Sequence, residues 1–159
     1  MKILKPIFIL LIPLLVAAQS KKEDPLYKKA VELAHKFIII DTHVDVPYRL
    51  KSHWEDISQR TEGGHFDYIR AKAGGLDAPF MSIYIPASYE GTGNAKPLAD
   101  SLINMVEGFQ KQWPEKFAVA VSADDVKSQF KKGLISLPMG KDSSPCPWEW
   151  KTARRLKVI

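Results

Sequence analysis

Apolar residues recur along this chain in two rhythms, and each rhythm marks a different kind of element. From Leu26 onward, Leu26, Ala30, Leu33, Ala34 and Phe37 fall at the spacing of one helical face. Asp24 and Pro25 stand ahead of that face as N-cap and first helical residue, a position where proline's missing amide proton costs nothing. The run Phe37-Ile38-Ile39-Ile40 is too short for a helix of its own and is rich in β-branched side chains, so it predicts a strand buried on both faces, as parallel strands are. Polar residues extend it as Asp41-Thr42-His43-Val44-Asp45, and Pro47 then removes a backbone donor and discourages further pairing.

Residues 48–77 read mostly as loop, with Gly63-Gly64 and Gly74-Gly75 as breakers and a short helical stretch around Asp67 to Lys72. A second strand spans Pro79 to Pro86. The longest helical stripe follows from Asn94 to Trp113, where Leu98, Leu102, Met105, Val106, Phe109 and Trp113 share one face and Pro97 sits near the start. Phe117 to Val121 predicts a third strand. Ser122 with Asp125 three residues on has the form of a capping box, opening a short helix through Val126 and Phe130 that Gly133 ends. Leu134 to Leu137 makes a fourth strand. Strands alternating with helices imply an α/β fold built from parallel βαβ units, and no internal repeat is present.

The two ends differ from this pattern. Lys2 and Lys5 precede an apolar run from Ile7 to Val16, and small Ala17 and Ala18 then precede polar Gln19-Ser20, the order of a secretory signal peptide. Residues 1–18 are therefore expected to be a leader, cleaved after Ala18, on an exported protein that is periplasmic, secreted or at the cell surface. The run is shorter than the roughly 20 residues a bilayer needs and Pro13 interrupts it, so no stable membrane span is expected after cleavage. The residue after the cleavage site is Gln19, not a cysteine that could carry a lipid. From Lys141 the helical and strand periods stop, and Pro145-Cys146-Pro147, Trp148 and Trp150 lead into a basic end. Residues 141–159 thus read as an atypical tail, with a change of reading frame in the gene favoured over a genuine loop. Residues 19–140 form the expected domain.

Charge adds little once it is located. The net charge is +5, but Lys2 and Lys5 supply +2 and the segment from Lys141 supplies +3, leaving the stretch between them neutral. Such a distribution argues against a nucleic-acid partner, which needs a basic surface on the folded domain. Cys146 is the only cysteine, so no intrachain disulfide forms, and stability must come from packing or a metal.

His43 and Asp45 carry the candidate chemistry. They stand two apart at the carboxyl end of the first strand, so strand alternation puts both side chains on one face. An imidazole nitrogen beside a carboxylate oxygen is half of a metal site suited to zinc. The plainer alternative is a histidine in a routine hydrogen bond and an aspartate capping the next turn. His35, His53 and His65 precede the later strands and read as solvent-facing or loop residues. Gly91-Thr92-Gly93 lacks the lysine of a phosphate-binding loop, and no serine has nucleophile-elbow spacing.

The phrase Ile40-Asp41-Thr42-His43-Val44-Asp45-Val46-Pro47, then Phe66-Asp67, then Lys72-Ala73-Gly74-Gly75 ahead of Phe80-Met81-Ser82-Ile83-Tyr84, resembles the opening of the membrane (renal) dipeptidases. The resemblance runs from about Leu26 to Gly140. It implies the N-terminal part of a (β/α)8 TIM barrel, truncated after about four parallel strands, since 159 residues fall short of the roughly 250 a closed barrel takes. It also implies a zinc-dependent dipeptidase with two zinc ions bridged by a glutamate and a hydroxide, acting on dipeptides that include some with a carboxyl-terminal D-residue. The first-strand ligand roles pass to His43 and Asp45. The bridging Glu is expected just after Gly140, where Lys141-Asp142-Ser143-Ser144 stands instead, so no catalytic residue is assigned and Asp142 is a poor substitute. Little activity is then expected from the chain as written, and unpaired sheet edges suggest self-association. The alternative is an inactive exported binding protein derived from the same front end.

Overall fold

Asp24 accepts a hydrogen bond from the Leu26 amide at 2.9 Å, and Pro25 follows it, so helix α1 (Pro25–Lys36) begins where capping chemistry places it. The computed structural model describes residues 24–141. The expected leader, and the tail with Asp142 and Cys146, lie outside the described residues. After α1 come β1 (Ile39–Val44), α2 (Val46–Ser52), α3 (Tyr68–Gly74), β2 (Leu76–Ile83), a short 3-10 turn (Ala87–Tyr89), α4 (Ala95–Gln112), β3 (Phe117–Ala120), α5 (Ala123–Lys131) and β4 (Ile135–Lys141).

All strand pairings are parallel, in the order β1-β2-β4-β3. The first half of β4 pairs with β3, from Phe117↔Ile135 to Ala120↔Pro138, and its second half pairs with β2, from Met81↔Met139 to Ile83↔Lys141. Strand β4 therefore bridges its two neighbours by length, and Pro138-Met139-Gly140, expected to lie beyond the fourth strand, belong to it.

The apolar stripe of α4 is buried at Leu98, Leu102, Val106 and Phe109, as its spacing requires. Its first half packs on Ile83, and its second half joins Met81, Phe117, Ile135 and Leu137. Met81 and Ile83 lie two apart on β2 and so share a face. Phe109, Trp113 and Phe117 form a ring cluster with centroids 6.1–6.4 Å apart, and Tyr68 meets Phe117 edge-on at 5.6 Å. Ala120 instead packs with Val126 of α5 and with Ala78, and its odd separation from Phe117 puts α4 and α5 on opposite faces of β3.

Three local expectations change. Strand β1 is exposed from Ile39 to His43, with Ile39 at 40% and Ile40 at 50%, and only Val44 packs partly against the core, rather than the strand being buried on both faces. Among the described residues it pairs only with β2, and α1, which has no buried residue, leaves its sides open. The region read mostly as loop contains α2, because Pro47 stops the strand and also occupies the first turn of a helix. Strand β2 begins at Leu76, earlier than Pro79, because Gly75 ends α3 in the left-handed region at φ 76° and reverses the chain at once. A Cβ on Gly75 would also lie 2.7 Å from the Ala34 carbonyl oxygen, so close contact with α1 requires glycine there.

Candidate metal site

At its carboxyl end β1 leaves regular pairing. Asp41 sits opposite Pro79 and Val44 opposite Met81, so three steps along β1 match two along β2, a bulge that includes Thr42 and His43. The Asp41 carboxylate accepts the His43 amide at 3.0 Å within this bulge. Asp45 lies beyond the strand as the N-cap residue of α2, with φ −83° and ψ 27°. The juxtaposition thus comes from a bulge followed by a helix start, not from the strand alternation read in the sequence.

The outcome is nevertheless a close pair. His43 Nε2 lies 3.1 Å from Asp45 Oδ1, with the two side chains 47% and 63% exposed. Asp45 makes no side-chain capping bond to α2, so the capping half of the plainer reading is not met, while its other half, a histidine in an ordinary hydrogen bond, is met by this same contact with the carboxylate. Zinc bonds of about 2.0–2.2 Å to N and O at a tetrahedral angle put neighbouring donors about 3.3–3.6 Å apart, so this hydrogen-bonded pair would open by a few tenths of an ångström to hold an ion. The donor set fits the near side of a zinc site. Among the described residues no group of three or more His, Cys, Asp or Glu side chains comes together, so further donors would come from outside them. His35, His53 and His65 are exposed, as expected. The position expected for a bridging Glu begins with Lys141, the last described residue, and Asp142 lies outside.

Helix α2 is held against the site by groups that sequence reading missed. Val46, Pro47 and Leu50 are buried, and Tyr48 meets Tyr84, just past β2, edge-on at 5.1 Å. On another side Arg49 Nη1 donates to Glu55, whose other oxygen accepts the Gly63 amide at 2.9 Å. The Gly63 amide and the Arg49 guanidinium hold the Glu55 carboxyl below its ordinary range. A Cβ on Gly64, at φ 69°, would lie 2.6 Å from Arg49 Nε, so the guanidinium lies directly against this turn. The loop is pinned again at its far end. Buried Asp67 accepts Arg70 Nε at 2.6 Å and the amides of Arg70 and Thr61 at 2.7 and 3.1 Å, while Arg70 Nη1 reaches the Gly64 carbonyl at 2.9 Å. Burial alone would raise the Asp67 carboxyl, but these amides and the guanidinium outweigh it and hold it below the usual range.

Residues 27–144 match the family model for membrane dipeptidase, peptidase family M19. The chain belongs to the membrane dipeptidase family. Solved structures agree on the fold. The metallopeptidase dipeptidase AC superposes with a TM-score of 0.59 at 22% identity over 68% of this chain and 36% of that one. The probable dipeptidase PvdM from Pseudomonas aeruginosa gives 0.61 at 18% identity over 74% and 32%. A metallopeptidase from Rhodobacter sphaeroides, liganded with a phosphinate mimic of the dipeptide L-Ala-D-Ala, gives 0.59 at 21% identity over 68% and 38%. This member of the family thus spans about a third of the length of the solved structures it matches, and its parallel α/β sheet is the expected N-terminal part of that fold.

Proposed function

We propose that this dipeptidase-family chain carries the first-strand half of a zinc centre for hydrolysing the amide bond of dipeptides, with His43 Nε2 and Asp45 Oδ1 as ligands. The observation that carries the reading is their 3.1 Å approach with the carboxylate left out of helix capping. Zinc held there would supply a Lewis acid and a water acidified to near neutral pH. The chain's own contribution is to bind and orient. The imidazole offers a ring nitrogen, the carboxylate offers an oxygen and negative charge, and the bulge and α2 set where the two stand. The dipeptide mimic bound by the Rhodobacter sphaeroides relative supports a dipeptide as the substrate class. A binuclear centre is the form the family resemblance implies, and among the described residues no group of three or more potential donors comes together.

The order of charge, apolar run and small residues in positions 1–18 supports export with cleavage after Ala18. Among the described residues no helix is long and apolar enough to cross a membrane. Exposed β1, with one edge unpaired among the described residues, supports self-association.

The test is to purify the chain with zinc, measure bound metal, and follow hydrolysis of dipeptides. The expected result is zinc binding that depends on His43 and Asp45. Zinc binding that is unchanged when His43 or Asp45 is replaced would overturn the ligand reading. Peptide affinity without any metal dependence would overturn the enzymatic reading in favour of an exported binding protein.

A further inference from the structure

Helix α2 has only seven residues, and its N-cap side chain makes no capping bond. Isolated helices shorter than about 12–15 residues are marginal in water, so α2 depends on tertiary anchors. One of those anchors acts at the candidate ligand's end. The Arg49 amide donates to the Asp45 carbonyl at 3.1 Å, closing the first turn, and the same residue's guanidinium reaches out of the helix to Glu55. Arg49 and Glu55 are both about three-quarters buried, with side-chain exposures of 24% and 25%. A charge-assisted bond at that depth is stronger and better oriented than a surface pair.

Resting on the zinc reading above, we propose that Arg49 is a positioning residue for Asp45: clamped by Glu55 against the Gly63-Gly64 turn, it fixes the rotation of α2 and so the angle at which the Asp45 carboxylate meets His43. The clamp has a rigid far side. Glu55 holds the Gly63 amide, Arg70 holds the Gly64 carbonyl, and Asp67 holds Arg70 and Thr61. Turning α2 would require breaking the Arg49–Glu55 bond or moving a turn tied at both ends. Val46, Pro47 and Leu50 set which face of α2 is buried, but apolar contacts are non-directional, whereas the guanidinium fork is directional. A lysine at 49 would keep the charge and lose the fork.

The experiment uses the full chain and four variants: Arg49→Met, Arg49→Lys, Glu55→Gln and Gly64→Ala. Amide hydrogen exchange at Arg49 reads the α2–Asp45 hydrogen bond without metal. A zinc titration followed by NMR at the His43 imidazole reads the site, and thermal melting reads overall stability. Ser122→Ala, which removes the remote cap of α5, is the stability control. We expect Arg49→Met, Glu55→Gln and Gly64→Ala each to speed exchange of the backbone amide at position 49, relative to its intrinsic rate, and to raise the zinc midpoint, each by about tenfold. Arg49→Lys should fall between them and the wild type, and Ser122→Ala should lower the melting temperature while leaving both site readouts unchanged. Unchanged exchange at Arg49 in Glu55→Gln and Gly64→Ala, or site effects no larger than those of Ser122→Ala, would overturn the proposal. If the wild-type His43 ring does not respond to zinc, the zinc reading fails, and the exchange result alone decides whether the clamp exists.

Discussion

Arg70 satisfies both carboxylate oxygens of Asp67, its backbone amide reaching one at 2.7 Å and its Nε the other at 2.6 Å. Asp67 is fully buried, so this pairing allows a charge to sit inside the fold where the loop from His53 to Phe66 rejoins α3. The helix N-cap and the ion pair are therefore one device.

Asp67→Ala should consequently be severe. It removes the cap of α3 and leaves Arg70 Nε and the Thr61 amide without that acceptor, while Arg70 keeps the Gly64 carbonyl; a lost cap together with a buried donor left unpaired costs about 2–3 kcal/mol. Urea unfolding of wild type and variant measures the difference. A loss under about 1 kcal/mol would show that the loop does not depend on this carboxylate.

The same group gives a pH dependence with a definite sign. Folding lowers the Asp67 carboxyl below its ordinary value of 3.8, so the unfolded chain binds a proton there more readily than the folded one. Its contribution is fully present above that ordinary value and is lost as pH falls through the lower folded value. Stability should therefore drop steeply below about pH 4, and the drop should be shallower in Asp67→Asn. Equal acid slopes for the two proteins would contradict the assignment.

Gly75→Ala should loosen the α1–α3 contact. The residue sits at φ 76°, and a Cβ would meet backbone atoms of Ala34 at 2.7 and 2.9 Å, which a side-chain rotation cannot relieve. Left-handed strain alone costs about 1–2 kcal/mol, and the contact adds to it. Hydrogen exchange across Pro25–Lys36 should rise more than exchange in α4, and a uniform change across both helices would count against a local effect.

How much of this was legible in the sequence depends on how local the cause is. Helix α4 follows from its own apolar stripe, and the caps at Asp24 and Ser122 act within three residues, so these elements appear where their residues predict, whereas Asp67, placed inside a short helical stretch, caps it instead. Pro47 was read only as a strand stop because its other role, opening α2, depends on what buries Val46 and Leu50. The exposure of β1 depends on partners that are not encoded in Ile38-Ile39-Ile40 themselves. His43 and Asp45 were found as a pair, but through regular alternation, whereas the bulge that joins them arises from register with β2. Arg49 and Glu55 were missed because their pairing follows the path of a loop, which carries no period to read.

The most direct measurement is the response of the His43 imidazole to zinc in the full chain, compared with that in Asp45→Ala and in the control Ser122→Ala. Zinc should shift the His43 ring resonances in the wild type and in Ser122→Ala, and Asp45→Ala should weaken the response by at least about tenfold. A His43 ring that ignores zinc, or that binds it equally well without the Asp45 carboxylate, would contradict the claim that these two side chains form the near half of a metal centre.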